Sequence, residues 1–252
     1  MNEQTESFVS HLVELRDRLL RAVVAVIIVF VCLMPWAADI YDLLARPLMI
    51  ALPEGTKMIA TGVVTPFFVP VKVTLMLAFL IALPVVLYQA WAFIAPGLYA
   101  HERRLGLPLV IASTLLFMTG MAFCYFLVFG VVFQFIAEFA PKSITPAPDI
   151  EQYLSFVLTM FTAFGVTFEV PVVVIVLVRF GIVTLEQLRQ ARPYVIVGAF
   201  VIAAIVTPPD VVSQLLLAIP LCLLYEVGIL LSRFIRTSPE RAAKTENVSE
   251  NA

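Results

Sequence analysis

The stretch from Tyr194 to Leu231, YVIVGAFVIAAIVTPPDVVSQLLLAIPLCLLYEVGILL, decides the fold. Thirteen apolar residues, Tyr194 to Val206, run through Thr207-Pro208-Pro209-Asp210 into twenty-one more, Val211 to Leu231, whose single charge is Glu226. In lipid a backbone must satisfy its own polar groups, so two such runs joined by a short polar turn read as a helical hairpin that crosses a membrane and returns. The second run suits a hydrocarbon core about 30 Å thick, whereas the first rises only about 20 Å at roughly 1.5 Å per residue. A helix that short calls for local bilayer thinning or for cover by a partner helix.

Four more runs precede this hairpin: Ala22 to Ala38, Val73 to Ala95, Leu105 to Ala137 and Tyr153 to Val178. The expectation is an all-α integral membrane protein with six transmembrane helices. Composition agrees: the 252 residues are 62% hydrophobic and 13% charged, with a mean hydropathy of +1.01. An ordinary soluble domain is roughly 45–50% apolar and 25% charged, so a water-soluble enzyme is excluded first. The formal charge of −2 offers no polyanion footprint, which makes nucleic acid a poor partner. Cys32, Cys124 and Cys222 all lie in apolar runs, where a thiol behaves as a small hydrophobe, and no disulfide framework or metal site follows.

An even number of spans puts both termini on one side. Lys and Arg number twelve on that side and in the connections that face it, against four on the other, Arg46, Lys57, Lys72 and Lys142. The positive-inside rule then places both ends in the cytoplasm. The start, MNEQTESFVSHLVELRDRLL, is polar and amphipathic rather than a cleaved signal, and residues 237–252 read as a disordered cytoplasmic tail behind a membrane domain spanning 1–236. Leu105 to Ala137 would extend about 50 Å, so it should tilt strongly or project beyond the bilayer. Pro84, Pro171 and Pro220 lie deep in their spans, each removing a backbone hydrogen bond and favouring a curved bundle with a concave wall.

Few polar residues remain to carry function. Glu226 is five residues from the cytoplasmic end of its span, close enough for its carboxylate to reach the interface as a structural group. Glu169 lies nine residues, about 13 Å, inside its span, where a charge is costly unless it faces a wet cavity or is protonated. Thr207 and Gln214 flank the hairpin turn, suited to interfacial hydrogen bonding or to docking a polar-bearing partner helix. In HLVELRDRL, from His11 to Leu19, the leucines share one helical face and Glu14 pairs with Arg18 at i,i+4. Glu14 and Glu102 place two carboxylates on the cytoplasmic face, where bidentate hydrogen bonding suits an arginine-bearing ligand. From the residues alone, a solvated helix face and an interfacial charge anchor stay equally open.

Several motifs in order lift that ambiguity: HLVELR, VTPFFVPVK at Val64 to Lys72, YQAWAFIAPGLYAHERR, YLSFVLTMFTAFGVTFEVPV around Glu169, RPYVIVGAF at Arg192 to Phe200, and TPPDVVSQ. From about Ser10 to Arg233 the chain resembles the TatC family, the multispanning receptor subunits of the twin-arginine protein translocase. The resemblance implies a glove-shaped six-helix bundle with a concave face, set in the bacterial cytoplasmic membrane. Its implied work is to bind the twin-arginine signal peptides of folded proteins and, with the single-span TatA and TatB, to export them using the proton-motive force. Copies of the chain would associate within that receptor. Glu14, Phe93 and Glu102 resemble the signal-peptide site, and Arg16, Pro47 and Asp210 match positions important to the receptor. Glu169 matches the acidic residue of the membrane cavity, and Thr207 and Gln214 the polar patch that meets the partner helices. No cofactor, metal or catalytic residue is implied.

Other functions fit the residues less well. An ion-coupled transporter could use Glu169 as its coupling carboxylate, but no internal repeat of matching segment lengths accompanies it. An intramembrane serine protease or a haem-binding span needs histidines within the spans, and His11 and His101 both lie outside them.

Overall fold

The computed structural model describes residues 2–51, 58–94, 106–139, 147–207 and 210–234. The expected disordered tail at 237–252 lies outside them. The protein is all-α. α1 (Asn2–Leu33) leads through a 3-10 turn at Met34–Trp36 into α2 (Ala37–Ala51), and α3 follows at Thr65–Ile94. α4 (Gly106–Phe123) continues through a π-helical turn at Cys124–Val128 into α5 (Phe129–Phe139). Then come α6 (Ile150–Phe168), α7 (Val170–Arg179), the short α8 (Leu185–Gln190), α9 (Arg192–Val206) and α10 (Val211–Ser232). Among the described residues five helical runs are long and apolar enough to cross a membrane, and α9 is a shorter sixth.

Helix ends depart from the apolar runs for local reasons. α1 starts far before Ala22 because HLVELRDRL is amphipathic rather than helix-breaking, and the first long run extends from Leu12 to Ile50. Pro35 sits at the start of the 3-10 turn, where its missing N–H is harmless. The run from Gly106 to Phe139 is continuous over 34 residues, with no turn to divide it. α6 and α7 are separated by Glu169 alone: Pro171, in the first turn of α7, has no N–H to offer the carbonyl four residues back.

The packing forms two compact units, Met1–Met118 with Phe133–Leu158, and Thr119–Val132 with Thr159–Ala252. In the first, α2 packs on the opening turns of α3, and α3 then runs back along α1. At the end away from the N-terminus a polar clasp joins the 58–65 segment to the start of α6. Asp149 caps α6 by accepting from the backbone N–H of Glu151 at 2.9 Å and of Gln152 at 3.1 Å. Its other oxygen accepts from Thr61 Oγ1 at 2.7 Å and from the Thr61 N–H at 3.0 Å. Ile59 adds backbone bonds to Pro148 and Ile150, and Lys72 Nζ lies 3.3 Å from Glu151 Oε1. Deeper in, the buried Tyr153 hydroxyl donates to the Leu44 carbonyl at 2.9 Å.

The second unit is built on close helix approaches. A Cβ on Gly120 would stand 2.6 Å from the Phe164 carbonyl oxygen and 2.9 Å from Phe168 Cβ, and one on Gly228 would stand 3.0 Å from Pro171 Cα. Glycine lets the backbones meet where lipid supplies no hydrophobic drive to press helices together. Phe123 packs against Phe164 and Phe168 with centroids 5.8 and 5.7 Å apart. Val174, Val178, Leu188, Tyr225 and Ile229 form a buried core, in which Tyr225 donates to the Leu188 carbonyl at 2.8 Å.

Candidate functional site

The segment carrying Glu14 is helical because its leucines repeat at helical spacing while Glu14 and Arg18 pair one turn apart on another face. Arg18 Nε and Nη2 both donate to Glu14 Oε1, at 3.0 and 2.5 Å. The Glu14 side chain is a third exposed, and among the described residues Oε2 accepts no hydrogen bond. One oxygen is therefore fixed by a neighbouring cation while the second is available to another donor. Arg16 does not join this pair. Its Nε and Nη2 reach Asp17 Oδ1 at 3.0 and 2.8 Å in an exposed contact.

Phe93 lies in the last turn of α3, half-buried. Leu19 of α1 and Val86 of α3 line one apolar cavity. Carrying those two antiparallel helices on from that level, about 8 Å to Glu14 and about 11 Å to Phe93, puts both side chains at the same end of the pair. Glu102 lies outside the described residues. Pro47, which the family resemblance singles out, stands within α2 and is half-buried.

Glu169 occupies the break between α6 and α7, half-buried, with φ −76° and ψ −14°. Its N–H donates to the Val166 carbonyl at 3.1 Å, and its own carbonyl accepts from Val173 at 3.0 Å. The backbone thus stays nearly helical while the side chain leaves at a discontinuity. Such a junction loosens carbonyls that water or a polar partner can satisfy.

At the opposite ends of α9 and α10, Asp210 caps α10 by accepting from the Ser213 N–H at 2.6 Å. Thr207 ends α9 and is buried, its hydroxyl donating to the Ala203 carbonyl at 2.8 Å. Gln214 is half-buried one turn into α10. Gln214 is thus the more accessible of the two to a partner, because the Thr207 hydroxyl is turned to its own helix. Glu226 also has a defined role: Arg192 Nη2 donates to its Oε2 at 2.7 Å, tying the start of α9 to α10.

Two features escape sequence reasoning. The Asp149 clasp carries a local signal, since Asp149-Ile150-Glu151-Gln152 has the spacing of a capping box, but its Thr61 partner is 88 residues away. Asp149 has its pKa lowered chiefly by the Thr61 hydroxyl and then by the backbone N–H of Gln152. The π-helical turn at Cys124–Val128 has no sequence signature, though such turns gather at functional places.

Comparison with known proteins settles the family. The model of the Sec-independent protein translocase protein (TatC) matches residues 10–220. The chain belongs to the TatC family. It is 54% identical to the Sec-independent protein translocase protein TatC of Escherichia coli K12 over 232 residues, 92% of this chain and 90% of that one. The TatC protein of Azotobacter chroococcum mcd 1 is 53% identical over 96% of this chain and 95% of its own length. A crystal structure of the twin-arginine translocase receptor TatC superposes with a TM-score of 0.77 at 43% identity, covering 89% of this chain and 98% of that one. The protein is accordingly a multi-pass inner-membrane component of the Sec-independent, twin-arginine translocase.

Proposed function

We propose that this TatC-family chain is the signal-peptide receptor of its translocase, with Glu14, Phe93 and Glu102 forming the arginine site on the cytoplasmic face. The observation that carries the reading is the Glu14 carboxylate, held through Oε1 by Arg18 with Oε2 accepting nothing among the described residues. An incoming guanidinium binds that oxygen without displacing Arg18, and Phe93 at the same end offers an aromatic face for it to stack on. A guanidinium can donate two N–H groups to that one oxygen, as Arg18 does to Oε1, while its plane stacks on Phe93; lysine's point charge does neither, so a pair of arginines is selected over a pair of lysines. The twelve-to-four excess of Lys and Arg supports cytoplasmic termini.

The apolar part of the signal then enters the membrane toward Glu169, whose carboxylate at the α6–α7 break receives polar groups or protons within the bilayer. TatA and TatB helices dock along α9 and α10, where Gln214 provides a polar contact. The short α9 thins the bilayer there, and the proton-motive force drives passage of the folded cargo. Copies of the receptor associate so that several signals are served together.

The test places a photo-activatable residue at Phe93 and exposes the receptor, in membranes, to a twin-arginine signal peptide and to its twin-lysine counterpart. Adducts with the arginine peptide that drop at least about tenfold with the lysine peptide support the site, on the scale of one charge-assisted hydrogen bond. Equal yields from the two peptides overturn it.

A further inference from the structure

A cavity of about 420 Å³ lies in the first unit, at the end away from the N-terminus. It is bounded by α2, by Pro66 and Pro70 at the start of α3, and by Ile150 at the start of α6. Depth follows from the sequence: Pro70 and Pro66 precede the apolar run beginning at Val73 by three and seven residues, and Ile150 precedes Tyr153 by three. At about 1.5 Å per residue these positions lie roughly 4–10 Å beyond the hydrocarbon edge, at the level of the phospholipid headgroups.

Two charges of opposite sign line this cavity, Asp42 and Arg46, one helical turn apart on α2. Their spacing would permit an i,i+4 ion pair, yet among the described residues neither forms one, and both are exposed. The rest of the wall is mainly apolar, with Ala45 and Val69 buried at its base. The volume falls within the range of about 300–1,000 Å³ typical of small-ligand sites.

We propose that this cavity binds the headgroup of a zwitterionic phospholipid carrying a primary ammonium, a phosphatidylethanolamine of the leaflet at that end. The Arg46 guanidinium takes the phosphate, and the Asp42 carboxylate takes the ammonium. Side chains at i and i+4 have Cβ atoms about 5–6 Å apart, the scale on which an ethanolamine headgroup separates its two charges. The apolar wall receives the glycerol end of the lipid, whose chains continue into the bilayer. A choline headgroup has the same phosphate but no N–H to donate to Asp42, so the site distinguishes ethanolamine from choline. Occupation also brings α2 and the starts of α3 and α6 under one ligand.

The experiment delipidates the full-length protein in a non-ionic detergent and adds equimolar dioleoyl phosphatidylethanolamine, phosphatidylcholine and phosphatidylglycerol. Retained lipid is counted by native mass spectrometry. The wild-type protein is expected to retain ethanolamine lipid about tenfold over choline lipid, the discrimination of one charge-assisted hydrogen bond. Asp42→Asn brings that ratio to near one while phosphate-dependent retention persists, and Arg46→Gln lowers retention of all three lipids. Both side chains are exposed and bond to nothing else described, so the variants should melt as the wild type does. Equal retention of ethanolamine and choline lipids by the wild type, an unchanged ratio in Asp42→Asn, or undiminished retention in Arg46→Gln overturns the proposal. Tighter retention of O-phosphoethanolamine than of the ethanolamine lipid would also overturn it, by showing a site for a soluble phosphate compound instead.

Discussion

Gly120→Ala adds one methyl group and should destabilise the second unit. Alanine is the better helix former by about 0.8–1.0 kcal/mol, so in isolation the change is favourable. Against that, the new Cβ would lie 2.6 Å from the Phe164 carbonyl oxygen and 2.9 Å from both Cβ and Cγ of Phe168. A backbone carbonyl inside α6 cannot turn aside, and Phe168 is held by the Phe123 ring at 5.7 Å, so the helices must separate. Overpacking of this kind costs about 1–3 kcal/mol, which exceeds the propensity gain over most of its range. Gly130→Ala is the control, because nothing lies within 4 Å of its Cβ position, and it should be neutral or slightly stabilising. Thermal unfolding in detergent, followed by circular dichroism, should place Gly120→Ala several degrees below Gly130→Ala, at about 2–4 °C per kcal/mol for a chain of this size. Since Phe168 adjoins Glu169, export of a twin-arginine substrate should fall as well. A Gly120→Ala protein that melts with or above Gly130→Ala would refute the close-approach reasoning.

Further outcomes follow from individual contacts. Asp149→Asn should weaken the clasp at neutral pH. Because the folded-state pKa of Asp149 is lowered, its contribution is fully present above the ordinary aspartate pKa and is lost as pH falls through the lowered value. Melting curves of wild type and Asp149→Asn should therefore differ at neutral pH and converge in strong acid. Tyr225→Phe removes the buried hydroxyl that bonds the Leu188 carbonyl and should cost about 0.5–1.5 kcal/mol or somewhat more, measured by denaturant titration. Glu226→Gln breaks a pair whose side chains are 45% and 42% exposed, so the same titration should register a loss of no more than about 1 kcal/mol.

The long spans were legible in the sequence because apolar runs near 20 residues in a chain with so few charges have little alternative to membrane helices. The short α9 and the loosened helix at Glu169 could also be read, since one follows from counting residues and the other from the missing N–H of Pro171. What hydropathy missed is the helical continuation of α1 toward the N-terminus, where amphipathic spacing rather than apolarity sustains the helix. The Thr61–Asp149 contact was hidden because it depends on the 59–65 and 147–151 segments meeting in space. Arg192 counted only toward orientation, although its distance from Glu226 across the hairpin makes it a structural partner. Thr207 and Gln214 look alike in sequence, but Thr207 turns out to bond within its own helix. For the proposed arginine site, the carboxylate at position 14 is visible in the sequence, whereas Arg18's hold on one of its two oxygens emerges only in the folded helix.

The most direct test is a double-mutant cycle between Glu14→Gln and a signal peptide whose two arginines are replaced by lysines, read as equilibrium affinity for the detergent-purified receptor complex. The cycle cancels any general effect of releasing Arg18. If Glu14 Oε2 receives a guanidinium, the wild-type receptor prefers the arginine peptide by about 10- to 150-fold, corresponding to roughly 1.5–3 kcal/mol for a hydrogen bond to a charged group, and Glu14→Gln loses most of that preference. The same preference in wild type and Glu14→Gln would contradict the arginine receptor built on Glu14.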